Sequence, residues 1–320
     1  MIDNTLSQQM QSPKEPFPRN LAPLKGPTRS NANEIQSLYG KQEFYIYQDA
    51  IEKMQSNEDQ LPSLPTITLE IRNATSNPNV STAHLSTLIA KDPSLTAILM
   101  KHASSAFYRS ADKPKNLHDV IGRLGMRAVE NITLAHSIRS LFILRDHQLK
   151  NLYKQALRRQ TLKACMSYYL AKAIHFPSAE DALIASLLSE VGTLTLLVAL
   201  QNHDVPAEQT YKILCQHYSK HLGAILLAKW GVSPIFLDVL RKTGEWTLDT
   251  GRRIQLVDVI NLALFHSIHH LTPDNDLMEI QHLSAFKKLA PQYNNVNKEN
   301  KLLIIDDNII AINELTKNFN

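Results

Sequence analysis

Apolar residues recur at helical spacing along most of the 320-residue chain. The longest apolar run, residues 182–200, contains one charged side chain, Glu190, near its middle. Its length alone would suit a bilayer-spanning helix, but a glutamate at the centre of such a helix costs about 2.5–3.5 kcal/mol on insertion scales. The run therefore predicts a central helix of a helical domain, over residues 180–201, in which Glu190 is hydrogen-bonded, paired or placed near a cleft.

Capping signals divide the preceding region into short helices. Ser81 is a suitable N-cap, and Asp92 followed by Pro93 is a second start signal. The sequence shows no strand-like alternation with turn signals before residue 300. The predicted fold class is therefore all-α, a multi-helix bundle in two halves that span residues 61–145 and 146–270.

The regions outside this bundle have different patterns. Residues 1–31 are polar and contain five prolines, so we predict a disordered tail. Residues 32–59 carry apolar side chains at helical spacing, which predicts an amphipathic helix that could act as a gate. Residues 273–299 are predicted to form a linker.

Composition narrows the class of protein. With 43% hydrophobic and 20% charged residues, the chain is globular in character. A net charge of +4 gives no strong indication of nucleic acid or an anionic membrane as a partner. The two cysteines, Cys165 and Cys215, are far apart without CxxC spacing, which fits a reducing compartment. The N-terminus lacks the pattern of a secretory signal, so we expect a cytoplasmic protein without a membrane span.

Four short motifs resemble those of the HDOD domain, an all-helical relative of the HD phosphohydrolases. They are LPSLP at 61–65, KDPSL at 91–95, SSAFY at 104–108 and LHDVIGRLGMRAVENITLA at 117–135. The resemblance extends over residues 60–272. It implies a signalling module without a cofactor, whose partner is a protein in a signalling pathway or, as a second class, a small nucleotide. Ser104 departs from the family, in which asparagine is frequent at this position.

The resemblance also implies where metal ligands would lie in an active HD hydrolase, which uses a histidine, an adjacent His-Asp pair and a later aspartate. The matching positions here are Gln160, Ser189-Glu190 and Asn261, and a further histidine position falls near Thr243-Gly244. Serine, glutamine and asparagine are poor metal ligands, so Glu190 alone remains competent. We therefore predict that the chain is not an enzyme. The alternative is a residual metal-dependent phosphohydrolase that uses Glu190 with other acids.

Basic and histidine side chains supply a candidate binding surface. Arg158, Arg159 and Lys163 lie on one long predicted helix, as a solvated face or as a phosphate or nucleic-acid surface. Nucleic acid is the less favoured partner because no recognition-helix pattern accompanies these residues. His217 and His221 have the i, i+4 spacing of a metal site but lack the HExxH pattern. Three further histidines are predicted at the surface, with an adventitious metal site on one face as the alternative: His266, His269 and His270.

The last segment, residues 300–320, has its own pattern. Residues 302–305 predict a buried strand, Asp306-Asp307 an acidic pair, and residues 309–315 a short amphipathic helix. This order is similar to the first strand and helix of a response-regulator receiver domain. A truncated receiver and a coincidental strand both remain open. A lone strand has no partner strand, so we predict a segment that is unstable unless it docks.

Overall fold

The computed structural model describes residues 51–52, 61–104, 114–142, 144–201, 203–272 and 277–319. The predicted tail, most of the predicted helix over 32–59 and most of the SSAFY motif lie outside these residues. Ile51 and Glu52, at the end of the predicted helix, are described and are helical. Ile51 is fully buried in the larger of two hydrophobic cores, so this end of the segment packs on the bundle.

In the described part of the chain, the first half consists of short helices that enclose the smaller core. They are α1 (Thr66–Thr75), α2 (Thr82–Ile89), α3 (Pro93–Ala103), α4 (Leu117–Leu124) and α5 (Met126–Leu141). Both predicted caps are present. Ser81 Oγ accepts a hydrogen bond from His84 N at 3.1 Å, and Asp92 Oδ1 accepts one from Leu95 N at 3.0 Å. Each cap satisfies a backbone donor that the first helical turn leaves free.

The second half is built around a long helix, α6 (His147–Ala173), and contains the larger core. It continues with α7 (Ala179–Leu188), α8 (Val191–Ala199), α9 (Glu208–Lys229), α10 (Pro234–Lys242) and α11 (Leu256–Leu271). α6 packs on α7, α8 and α11. α5 joins the halves, because its Val129 belongs to the smaller core and its Ile138 to the larger. The described residues thus confirm the predicted all-α class.

The long apolar run forms two helices rather than one. α7 ends at Leu188 and α8 begins at Val191, with Ser189 and Glu190 in a turn between them. The segment from Ala179 to Ala199 is long and apolar enough to cross a membrane, yet 89% of its most apolar window is buried by the rest of the protein. It is packed as a core segment, and the prediction of one continuous helix is wrong.

Hydrogen bonds to backbone carbonyls join the two halves at the C-terminal end of α9. Arg72 of α1 donates through Nη1 to the Trp230 carbonyl at 2.8 Å and through Nη2 to the Gly231 carbonyl. The carbonyl end of a helix carries partial negative charge, so an arginine is stabilising there. Trp230 Nε1 donates in turn to the Pro62 carbonyl at 2.9 Å. The LPSLP opening is therefore held against α9.

The C-terminal segment is helical, and the predicted strand over residues 302–305 is wrong. α12 (Leu303–Asp306) and α13 (Ile309–Phe319) both pack on α6. Leu302 makes an isolated bridge to Val296 and is followed directly by helix. A short apolar run suits a buried strand or a buried helix equally well, and contact with α6 selects the helix.

The segment predicted as a linker is also packed. It contains 3₁₀ helices at Ile280–His282, Phe286–Lys288 and Pro291–Tyr293. Ile280, Leu283 and Leu289 are buried in the larger core. The described residues from 277 onward therefore extend the second half of the bundle.

Candidate functional site

Glu190 lies in the turn between α7 and α8, where its backbone (φ −116°, ψ 10°) is outside helical geometry. Its side chain is 14% exposed. The preceding Ser189 is the C-cap of α7 and is buried. Its hydroxyl donates to the Ser186 carbonyl at 2.8 Å. The break in the apolar run thus places a carboxylate and a hydroxyl side by side within the core.

Two cations of α6 bind the Glu190 carboxylate. Arg159 donates to Oε2 from Nε at 3.1 Å and from Nη2 at 2.9 Å. Lys163 Nζ donates to Oε1 at 2.6 Å and to Ser189 Oγ at 2.7 Å. Arg159 and Lys163 are one helical turn apart, so both reach the turn from the same face of α6. Internal donors therefore occupy both oxygens of the carboxylate.

The two cations differ in exposure. The Arg159 side chain is 43% exposed, whereas the Lys163 side chain is 0% exposed. Burial by itself raises the pKa of Glu190, but the charges of Arg159 and Lys163 outweigh burial and hold that pKa at about 2. Burial lowers the pKa of Lys163, and the charge of Glu190 opposes this shift. Glu190 is therefore an ionised carboxylate, compensated by a buried ammonium group.

Gln160 and Asn261, two of the positions implied for metal ligands, make structural hydrogen bonds. Gln160 is 1% exposed, and its Nε2 donates to the Leu187 carbonyl near the end of α7. Asn261 is 3% exposed, and its Oδ1 accepts from Gly244 N at 2.8 Å. Gly244 has a φ of 87°, a conformation in which a side chain would be strained. Asn261 is thus tied to the turn after α10, whereas Gln160 is tied to the end of α7.

This set of residues does not fit a divalent metal. Across the described ranges, no group of three or more His, Cys, Asp or Glu side chains could hold a metal ion. The Ser189 and Gln160 side chains, at the implied ligand positions, carry neutral oxygens, and such groups bind divalent ions weakly. Lys163 also places a positive charge directly on the carboxylate, which would repel a metal ion.

The predicted basic surface is divided between solvent and core. Arg158 is exposed and Arg159 is half-buried, but Lys163 is fully buried, so its assignment to a binding surface is wrong. His217 and His221 are both partly buried on α9, and burial lowers the pKa of His221.

His266 is also placed differently from the prediction. It was expected at the surface with His269 and His270, but it is 2% exposed in α11. Its neighbour Phe265 packs edge-on against its ring, with the centroids 5.6 Å apart.

Two side chains of α9 lie beside the Glu190 cluster and were not singled out by the sequence. Tyr211 and Cys215 are one turn apart, and the charge of Arg159 acts on both. Burial raises the pKa of the Cys215 thiol to about 11, so it is not a thiolate nucleophile at neutral pH. Their i, i+4 spacing is common on amphipathic helices, and it did not indicate proximity to Glu190.

The described helices thus form an all-α bundle in two parts, with Glu190 inside the larger part. The chain belongs to the HDOD family, because the model of the HDOD domain matches residues 61–245, which is more than half of the chain. The match confirms the family resemblance carried by the motifs of the first half. It does not extend to the receiver-like segment.

Solved structures share the fold over most of the chain. A proposed metal-dependent phosphohydrolase from Shewanella amazonensis SB2B superposes with a TM-score of 0.68 at 18% identity, covering 86% of this chain and 99% of its own. An HDOD domain protein of unknown function from Geobacter sulfurreducens gives 0.61 at 17% identity, with coverages of 85% and 97%. A proposed signal transduction protein from Marinobacter aquaeolei VT8 gives 0.54 at 18% identity, with coverages of 87% and 65%. At these identities the likeness shows the fold alone.

A curated relative is an uncharacterised protein of Treponema pallidum (strain Nichols). It is 24% identical over 199 residues, which cover 57% of this chain. The matched region spans 37% of that relative's length.

Proposed function

We propose that this chain is a non-catalytic signalling module that acts by binding a protein partner. The observation that carries the proposal is the state of Glu190, the one acidic side chain at the positions implied for metal ligands. Both of its oxygens are bound by Arg159 and Lys163. With a pKa of about 2, it is also a poor general base at neutral pH. It therefore suits neither metal binding nor activation of water.

The solved structures support two readings. The protein from Marinobacter aquaeolei is named as a proposed signal transduction protein, in line with the signalling role. The protein from Shewanella amazonensis is named as a proposed metal-dependent phosphohydrolase. A residual hydrolase is therefore the second candidate function, and the internal pairing of Glu190 is the observation that weighs against it.

A hydrolase assay separates these candidates. Purified protein is incubated with bis(p-nitrophenyl) phosphate and with common nucleotides, in the presence of Mg²⁺, Mn²⁺, Fe²⁺ or Ni²⁺. We expect the wild type to show no more turnover than Glu190→Gln, since the Glu190 carboxylate is occupied by Arg159 and Lys163. Metal-dependent turnover would establish the hydrolase instead if it is retained in Arg158→Gln and lost in Glu190→Gln under conditions where circular dichroism shows that Glu190→Gln is folded.

The junction of the two halves is the proposed partner surface. Arg127 of α5 is 61% exposed and forms an ion pair there with Asp181 of α7, whose side chain is 5% exposed. Arginine is one of the residue types enriched among the energetically dominant residues of protein interfaces. By contrast, Lys163 is buried and the charge of Arg159 is compensated by Glu190, so the face that a nucleic acid would use has less free positive charge.

The partner test begins with affinity isolation from the native cell, with crosslinking and mass spectrometry of co-purifying proteins. Each protein found is then purified and tested for direct binding. We expect Arg127→Glu to weaken binding at least tenfold and Arg158→Glu on α6 to leave it unchanged. Equal binding by both variants would move the partner surface away from the junction. If a nucleotide alone binds, the small-ligand alternative holds.

A further inference from the structure

Lys163 is among the largest fully buried side chains of the described chain. It lies in the middle of α6, surrounded by buried residues from Gln160 to Tyr168. Lysine is almost never fully buried unless it is paired, because an isolated buried ammonium group costs several kcal/mol. The position of Lys163 therefore requires a partner inside the core.

The partners of Lys163 are the residues that stand in place of the implied His-Asp pair. Its Nζ contacts Glu190 Oε1 at 2.6 Å and Ser189 Oγ at 2.7 Å. On the preceding turn of α6, Gln160 holds its Oε1 atom buried, and within the described residues that atom has no hydrogen-bond partner. Glu190 and Ser189 thus bind an ammonium group that comes from the chain itself, whereas the amide oxygen of Gln160 takes no part.

We propose that the Lys163 ammonium is a built-in cation, which fills from within the chain the position that the family's relation to metal hydrolases implies for a divalent ion. This inference rests on the proposed non-catalytic function and gives it a specific cause. The site is closed to metals because Lys163, together with Arg159 on the other carboxylate oxygen, already supplies the charge that Glu190 needs. Removal of the lysine side chain would then leave a cation site at Glu190 Oε1 and Ser189 Oγ.

The test uses the full chain with Lys163→Ala, the double variant Lys163→Ala/Glu190→Gln, and Lys150→Ala as a control at an exposed lysine of the same helix. The thermal unfolding midpoint is measured with MnCl₂, with methylammonium chloride and with NaCl at equal ionic strength. We expect methylammonium to raise the Tm of Lys163→Ala by about 2–4 °C, because it replaces the lost ammonium group. MnCl₂ should give a smaller rise, because one carboxylate with a hydroxyl binds a divalent ion weakly. The wild type, the double variant and Lys150→Ala should show no such rise.

The other outcomes overturn the inference. Lys163→Ala could gain nothing from either cation, or the wild type or the double variant could gain as much as Lys163→Ala. If Lys163→Ala does not fold, folding of the double variant supports a built-in counter-ion, and failure of both variants shows that Lys163 acts by packing alone. Hydrolysis by the wild type would refute the proposed function separately, so the two failures are distinguishable.

Discussion

α8 and α9 meet backbone to backbone at Gly192 and Gly223. A Cβ placed on Gly223 would lie 3.1 Å from the Gly192 amide nitrogen, and one placed on Gly192 would lie 1.7 Å from the Ser219 carbonyl oxygen. Real Cβ atoms essentially never lie within 3.0 Å of another atom, so a side chain at Gly192 would force the helices apart. Because Gly192 is two residues after Glu190, this crossing also fixes the turn that carries the carboxylate.

Gly192→Ala is therefore expected to lower the free energy of unfolding by about 3 kcal/mol or more, through overpacking. Gly122→Ala in α4 is the matched control, since a Cβ there has nothing within 4 Å. A helical alanine in open space should instead stabilise by about 0.4–1 kcal/mol. Urea denaturation of both variants measures the difference. Equal stability of the two would show that the α8–α9 crossing is looser than described.

Glu190→Gln should destabilise the protein by about 3–5 kcal/mol, because it leaves the buried Lys163 ammonium without a counter-charge. Arg158→Gln is the control, on the exposed face of α6, the helix that carries Lys163. It should change the stability by less than about 0.5 kcal/mol. Denaturant unfolding at neutral pH provides both values. A Glu190→Gln variant as stable as the wild type would contradict the pairing.

Arg72→Met tests the junction between the halves. The variant loses the hydrogen bonds to the Trp230 and Gly231 carbonyls. The Arg72 side chain is only 22% exposed, so these carbonyls lie largely away from bulk water. We expect a loss of about 1.5–3 kcal/mol. Amide hydrogen exchange should also accelerate in α1.

Lys91→Met is the control for this prediction. Lys91 pairs with Glu70 on the surface of the same half, where the two side chains are 57% and 41% exposed. Such pairs contribute about 0–1 kcal/mol. If both substitutions have the same small effect, the junction contributes little to stability.

The buried His266 predicts a pH dependence. Burial, followed by the charges of His269 and Lys301, lowers the pKa of His266 to about 3 in the folded protein. In the unfolded chain a histidine titrates near about 6.5. Between these values the unfolded state binds a proton that the folded state does not. Stability is thus complete above about pH 6.5 and falls as the pH is lowered toward 3, by up to about 1.4 kcal/mol per pH unit.

Urea denaturation at pH 7.5 and pH 5 checks this. His266→Leu should reduce the loss of stability between the two pH values, whereas His84→Gln, at an exposed position of α2, should leave it unchanged. An unchanged loss in His266→Leu would assign the pH dependence to other groups. Burial also lowers the pKa values of His269, His270 and His221, so these residues would be the next to substitute in the same experiment.

The docking of the C-terminal helix α13 on α6 gives a further prediction. Ile312 is 0% exposed and Ile310 is 75% exposed on the same helix. Ile312→Asp buries an unpaired charge and should release α13, which hydrogen exchange of residues 303–319 would detect. Ile310→Asp should leave the exchange unchanged. Rapid exchange of this segment in the wild type would contradict the docking.

Much of the fold was predictable because its determinants are local. Ser81 and Asp92 mark helix starts through their own side chains, and the periodic apolar residues of α1 to α5 indicate the faces that form the smaller core. The motifs of this half also contain enough spacing information to indicate the family.

The parts that were not predicted depend on distant contacts. Lys163 has the sequence context of a basic helix face, and its burial depends on residues 26 and 27 positions later in the chain. The break at Glu190 lies within an apolar run that has no capping or turn signal of its own. It depends on the contact between the Glu190 carboxylate and α6, which the local sequence does not indicate. At residues 302–305, four apolar residues do not indicate whether the segment will pair as a strand or pack as a helix on α6.

The hydrogen bond of the Trp230 indole makes tryptophan fluorescence a probe of the junction between the halves. The chain has two tryptophans, and Trp246 packs edge-on against Phe265 with ring centroids 6.2 Å apart, away from the Pro62 carbonyl that binds Trp230. If the halves separate, Trp230 exchanges that carbonyl for water, and its fluorescence moves to longer wavelength. In the Trp246→Phe variant, Trp230 is the remaining tryptophan. Its wavelength of maximum emission would then report whether a bound partner separates the two halves.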